Sequence, residues 1–361
     1  MKYFYPICLL LFLAGCQKED EKKEVIDRAK TDWAFYNLNG DVKSISTKSF
    51  TVVNAAGGKG KPQHENGTDR DTDLTFNEEG MLIKEKLWKN GIKPYSETTF
   101  EGRERITNAV QFINGIPGVK TEYLWDSEGN NTAITKRNAD HTPMSRIEMK
   151  YRKGNMIEKI TYNAQNNPID KKTYSYDDKG NKIGEAIYLR SEYVQYKLHY
   201  KYNDKNKLIE EAQYDKDGKL LYRTTYVYKG NNLIKTETFN DKGEVEYSEK
   251  NNYDKNSNLT AQVIYEKFSN TTTVEKYQYD SFNNKIMVSV STNDVPAFKI
   301  SYKYDDKNNV IASNAFDGHG KPRDRRAYTY KYDDKGNWIE KTVAIGGKPS
   351  FIVERSIKYF E

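Results

Sequence analysis

Apolar and polar side chains alternate along much of this chain. Tyr196, Leu198, Tyr200 and Tyr202 fall on one side, with Gln195, Lys197, His199 and Lys201 on the other. Ile300, Tyr302 and Tyr304 oppose Ser301 and Lys303, and Tyr328, Tyr330 and Tyr332 oppose Thr329 and Lys331. A period of two predicts half-buried β-strands. The runs are broken by one recurring turn form, clearest in Tyr174-Ser175-Tyr176-Asp177-Asp178-Lys179-Gly180-Asn181. Close copies start at Tyr202, Tyr253, Tyr304 and Tyr332, and looser ones at Phe76, Phe100, Trp125, Tyr151, Tyr228 and Tyr279, in steps of 24 to 28 residues. A fixed period held this long is the mark of a repeat architecture. A second aromatic-plus-turn signal falls midway, as at Trp88, Tyr188, Tyr214, Phe239 and Phe316, so turns come every 11 to 16 residues. That leaves room for strands of about 7 residues and short loops.

Asp-Asp-Lys-Gly-Asn suits a type I turn followed by glycine in the left-handed region. Its first aspartate is placed to accept a hydrogen bond from the backbone N–H two residues on. The predicted fold is therefore all-β, a long antiparallel meander of about 20–24 strands in repeated hairpins. A parallel solenoid with one rung per repeat is the alternative, and it needs fewer glycine turns. Open twisted sheets rarely exceed about 10 strands, so this one is expected to curl into a spiral, shell or roll. Its tyrosine face should point inward, with each hydroxyl finding a partner.

Tyr-Asp-x-x-Gly-Asn at this step, carried on Tyr-x-Tyr strands over roughly residues 76–340, resembles the YD repeats of the RHS class of bacterial surface and toxin-delivery proteins. The half-repeat Asn90-Gly91-Ile92-Lys93-Pro94 is similar to MORN-type repeats of bacterial proteins described as antitoxins. The first resemblance implies a curved sheet able to wrap into a hollow casing. No toxin or peptidase module is recognisable after the repeats, so a casing for cargo is not expected.

In chain order, residues 1–15 read as a lipoprotein signal peptide: Lys2, an apolar run from Phe4 to Leu13, then Leu13-Ala14-Gly15-Cys16. The apolar run is too short to span a bilayer as a helix. Cys16 is the expected lipidation site, and several acyl chains make a durable anchor. Residues 16–32 form a charged tether, and Gln17-Lys18-Glu19-Asp20-Glu21 is similar to the signal that sends lipoproteins of Bacteroidetes-type bacteria to the cell surface. Residues 33–75 are expected to hold capping strands and a loop, Phe50 lying 26 residues before Phe76. Residues 76–361 carry the hairpin repeats, ending in an edge strand that Lys358 and Glu361 would blunt.

Composition narrows the function classes. Among 361 residues, 58 are Lys or Arg and 52 Asp or Glu, interleaved along every repeat, so no nucleic-acid footprint stands out. The two cysteines, Cys8 and Cys16, both lie in or beside the leader, which leaves the body without disulfides. A transmembrane barrel needs an apolar outer band in each strand, and neither face here supplies one. The sequence Gly57-Gly58-Lys59-Gly60-Lys61 lacks the spacing of a phosphate loop. Asp69, Asp71 and Asp73 start like a calcium loop, but Leu74 and Gly80 stand where Gly and Glu belong. His64, His141, His199 and His319 show no metal-ligand spacing. The paired turn acids, Asp177-Asp178 among them, read first as turn formers. No catalytic residue, cofactor or metal is expected, and the chain is not read as an enzyme.

The sequence therefore points to a non-enzymatic β-repeat scaffold, held to the outer membrane by lipid on Cys16 and exposed at the cell surface. Its expected task is to bind or present a glycan or protein ligand. Trp88, Trp125 and Trp338 are the candidate ligand-stacking residues. An immunity or antitoxin-like partner of a contact-delivered toxin is the second reading, and a carbohydrate-processing accessory protein the third.

Overall fold

The computed structural model describes residues 26–53, 58–64, 71–89, 91–190 and 192–361. A 3-10 turn (Arg28–Lys30) and the short helix α1 (Asp32–Phe35) precede twenty-five strands. The first of these are β1 (Val42–Val52), β2 (Lys59–Pro62), β3 (Asp71–Phe76), β4 (Leu82–Lys89), β5 (Lys93–Phe100), β6 (Ile106–Ile113), β7 (Ile116–Trp125) and β8 (Asn131–Arg137). Next come β9 (Pro143–Arg152), β10 (Asn155–Asn163), β11 (Pro168–Tyr176), β12 (Lys182–Leu189), β13 (Tyr193–Tyr202), β14 (Leu208–Asp215), β15 (Leu220–Lys229) and β16 (Asn232–Asn240). The rest are β17 (Val245–Tyr253), β18 (Leu259–Glu266), β19 (Thr271–Tyr279), β20 (Lys285–Thr292), β21 (Val295–Tyr304), β22 (Val310–Asp317), β23 (Pro322–Tyr332), β24 (Trp338–Ile345) and β25 (Lys348–Tyr359).

From β3 onward each strand pairs antiparallel with the next, as the hairpin reading expects. The ends then meet. β25 pairs with β1 from Val42–Tyr359 to Thr51–Phe351, and β1 pairs with β3 at Ser44–Thr75, Ile45–Leu74 and Ser46–Asp73. Twenty-four strands thus close into a barrel, with β2 outside the ring on the far end of β1. This overturns the expected spiral or roll. It also removes the expected terminal edge: Lys358 lies opposite Ser44 within the seam. Closure satisfies the backbone groups that an open edge would leave unpaired.

The register is staggered around the ring. Direct partners lead from Leu74, near the end of β3, through Glu85, Thr98, Ala109, Thr121 and Lys136 to Ser145, near the start of β9. Such stagger tilts the strands against the barrel axis. With a tilt of about 40° and strands about 4.8 Å apart, a circular ring of this size is on the order of 45–50 Å across. Side chains cannot fill that width, so the wall encloses a hollow.

The tyrosine face is the more covered one: Leu198, Tyr200 and Tyr202 are half-buried, whereas Lys197, His199 and Lys201 are exposed. Side chains converge on the concave side of a closed sheet, which makes this the inner face. The outer face carries cross-strand ion pairs such as Lys201–Glu210 (2.7 Å), Lys331–Glu340 (2.8 Å) and Lys150–Glu158 (2.7 Å). A closed barrel with an even strand count is compatible with an outer-membrane-type protein, but these ion pairs stand where a membrane-spanning barrel carries its apolar band.

Among the described residues, a compact core cluster forms at the seam. Trp33, Leu38, Val42, Ile45, Leu74, Phe76 and Leu82 cluster there, flanked by Tyr36, Phe100, Ile357, Tyr359 and Phe360. Thr31 caps α1 by accepting from the Ala34 N–H (3.3 Å). Buried Asp32 accepts backbone N–H bonds from Leu82 (2.6 Å) and Arg103 (2.9 Å). The segment before β1 therefore fastens the joint where the two ends of the ring meet.

Candidate functional site

The repeat motif builds a rigid wall before it builds any site. In the β11–β12 turn, Asp177 N–H donates to Asn181 O (2.9 Å), and Gly180 sits at φ +83°. Asp177 Oδ1 accepts from the backbone N–H of Lys179 (3.0 Å), as expected, and also from that of Asn181 (2.8 Å). The Asn181 side chain donates to the other carboxylate oxygen at 2.9 Å, which explains the asparagine after the glycine. Asn181 thereby holds the Asp177 carboxyl below its ordinary range.

Asparagine can fill the same slot. Asn163 accepts from the backbone N–H of Gln165 and Asn167 at 3.0 and 2.9 Å, and Asn203 from Lys205 and Lys207 at 3.0 and 3.1 Å. This gives a pH prediction. A carboxyl depressed on folding contributes stability above its unfolded pKa, and that contribution is lost as pH falls through the folded value. Asp126, Asp177 and Asp254 are all depressed by their turn partners. Replacing all three with Asn keeps the backbone N–H bonds but loses the bond that the following asparagine side chain donates, so the melting temperature at pH 7 should fall modestly and its further fall between about pH 4 and pH 2 should flatten. An acid limb as steep as that of the parent chain would contradict this account.

The anchor rings have a second task. Tyr176 Oη donates to Met156 O (2.7 Å), Tyr202 to Lys182 O (2.9 Å), Tyr253 to Leu233 O (3.0 Å) and Tyr279 to Leu259 O (2.9 Å). Each ring thus ties its hairpin to the strand before it, and phenylalanine could not. Tyr176→Phe should cost about 0.5–1.5 kcal/mol in chemical denaturation, the worth of one such bond. A loss below that range would assign the anchor's role to ring packing alone.

The three candidate tryptophans lie apart. Trp125 replaces an anchor tyrosine: its indole N–H donates to Ile106 O at 2.7 Å, with the Arg105 guanidinium 5.4 Å above the ring. Trp88 donates to Asp73 Oδ2 (2.7 Å) and lies under Lys86 (4.4 Å). Trp338 lines a cavity of about 430 Å³. Cys16, Gly57, Asp69 and Asn90 lie outside the described residues. Asp71 accepts from Ser49 Oγ at 2.6 Å and Asp73 from Trp88, so both are engaged within the wall.

The cavity sits where the chain before β1 crosses the turns that follow β21 and β23. Tyr36, Asn37, Asn39, Lys307, Asn309 and Tyr332 line it, together with Gly336, Asn337, Trp338 and Arg355. Asn337 fixes the crossing: its Oδ1 accepts the Asn39 N–H and its Nδ2 donates to Asn39 O, both at 2.8 Å. The Arg355 guanidinium lies 3.5 Å over the Trp338 ring, and Lys307 Nζ lies 3.6 Å over Tyr332. Burial pulls the Arg355 guanidinium down to about 10, so it stays charged at neutral pH. The lining holds two cations and no carboxylate. Sequence reasoning named Trp338 but missed Arg355, whose place in an alternating strand is its only signal.

No family model matches this chain, and no curated protein matches it. Solved structures similar to it include the Tc holotoxin pore of Photorhabdus luminescens, at 10% identity and a TM-score of 0.28, covering 79% of this chain and 19% of that one. Another is TcdB2–TccC3 without its hypervariable C-terminal region, at 13% identity and a TM-score of 0.35, covering 81% and 17%. A third is a porin-like protein from Bacteroides uniformis, at 12% identity and a TM-score of 0.25, covering 89% and 98%. The chain spans less than a fifth of the two toxin chains. No family membership follows from values in this range.

Proposed function

We propose that this chain is a non-enzymatic binding scaffold of the bacterial outer envelope, held by lipid on Cys16 and exposed at the cell surface, with a glycan as its ligand. The observation that carries the reading is the cavity at the barrel rim, where aromatic rings, side-chain amides and two cations converge on one recess. Side-chain amides and cations held beside aromatic rings supply the donors, acceptors and apolar edges that sugar hydroxyls and rings require. The anchor and the surface location rest on Leu13-Ala14-Gly15-Cys16 and the acidic tract after it.

Two experiments test this reading. Protease shaving of intact cells should remove the protein from the surface, and the Cys16→Ala form should not be retained there. A protein resistant to shaving would place the anchor on the periplasmic side. A glycan array probed with the full chain should give saccharide binding that Trp338→Ala weakens; an array without binding would turn the search to a protein ligand.

A further inference from the structure

We infer that the rim cavity recognises a carboxylate-bearing sugar, an acidic saccharide unit of the hexuronic acid class, with Arg355 as the residue that reads its carboxylate. The inference rests on the glycan-binding reading above and names the ligand class. Arg355 Nε is buried with no hydrogen-bond partner, and no carboxylate among the described residues forms an ion pair with the guanidinium. A guanidinium drawn partly out of water with no carboxylate beside it keeps donors to offer. Stacking on Trp338 occupies the guanidinium's face and burial closes Nε, which leaves the terminal Nη1 and Nη2 N–H groups as the available donors. Those donors match the two oxygens of a planar carboxylate.

The remaining lining suits the rest of a sugar. Asn37 and Asn39 contribute side-chain amides, and Asn309 keeps its Oδ1 while its Nδ2 donates to Tyr332 Oη (2.9 Å). Lys307 adds a second cation at the same recess. The nearby turn acids are already engaged: Asp305 accepts from Tyr332 Oη (3.1 Å) and Asn309 N–H (2.8 Å), and Asp333 from Tyr359 Oη and Asn337 N–H (2.8 Å). They neither line the cavity nor neutralise Arg355. A volume of about 430 Å³ lies within the range of small-ligand sites and holds one or two sugar rings.

The test is calorimetric titration of the full chain in detergent with trigalacturonic acid, with neutral galactotriose, acetate and inorganic phosphate as comparison ligands. The uronate should bind at least tenfold more tightly than each of the others. Arg355→Met should abolish that preference with little change in melting temperature, because the lost stacking of the guanidinium on Trp338 is offset by relief of its desolvation and by the Met side chain packing on the ring. Lys307→Met should weaken uronate binding less, and it keeps the test intact if the Arg355 variant fails to fold. Equal affinity for the neutral trisaccharide, phosphate binding as tight as uronate, unchanged binding in Arg355→Met, or no uronate binding would each overturn the inference. Neutral glycan binding that survives Arg355→Met would overturn it and leave the glycan scaffold standing.

Discussion

Trp33→Ala is expected to destabilise the protein by about 3–5 kcal/mol, the usual cost of emptying a large buried aromatic site. Trp33 is 1% exposed and packs among Val42, Ile45, Leu74, Phe76 and Leu82. Its indole N–H also donates to Val42 O at 2.7 Å, so truncation removes a buried hydrogen bond as well. The damage should concentrate at the seam, because β1 meets β3 through only three residue pairs. Amide exchange should therefore accelerate in β1 and β3 before it does in β11 to β15, where neighbours on both sides remain in place. Uniform loss of protection around the ring would show that the seam is no weaker than the wall.

Gly318→Ala should be the second large loss, about 1–3 kcal/mol from overpacking. A Cβ on Gly318 would lie 1.8 Å from Pro296 O, and both are backbone positions with no side chain able to swing away. The turn itself does not demand glycine there, since Lys216 and Asp241 occupy the equivalent place in turns of the same form. The close approach of β21 does. Gly243→Ala is the comparison: at φ +80° with nothing within 4 Å, it should cost only the left-handed strain of about 1–2 kcal/mol. Urea midpoints for the two variants separate the causes. If Gly318→Ala is tolerated better than Gly243→Ala, the start of β21 yields more readily than its hydrogen bonds imply.

Much of the wall is legible in the sequence, because each repeat is stabilised within itself and by its immediate neighbours. Tyr176, Asp177, Gly180 and Asn181 meet their hydrogen-bond partners within one turn or one strand. Period-two alternation settles which side chains share a face, and the turn form settles that successive strands run antiparallel. The asparagine at position 181 is legible in kind, as part of the motif, but its grip on the Asp177 carboxylate emerges only in the folded turn.

Closure and the rim cavity are not legible there, and for one reason. A repeat carries the same local bonds in an open sheet as in a closed one, so nothing inside it records the sum of small rotations around the ring. That sum brings β25 against β1, and with it Asn39 against Asn337, 298 positions apart in the chain. Alternation and the recurring turn form set the strands, their faces and their turns. Where the two ends of the ribbon meet, and hence which charges stand together at the rim, is decided only when the whole wall has curved back on itself.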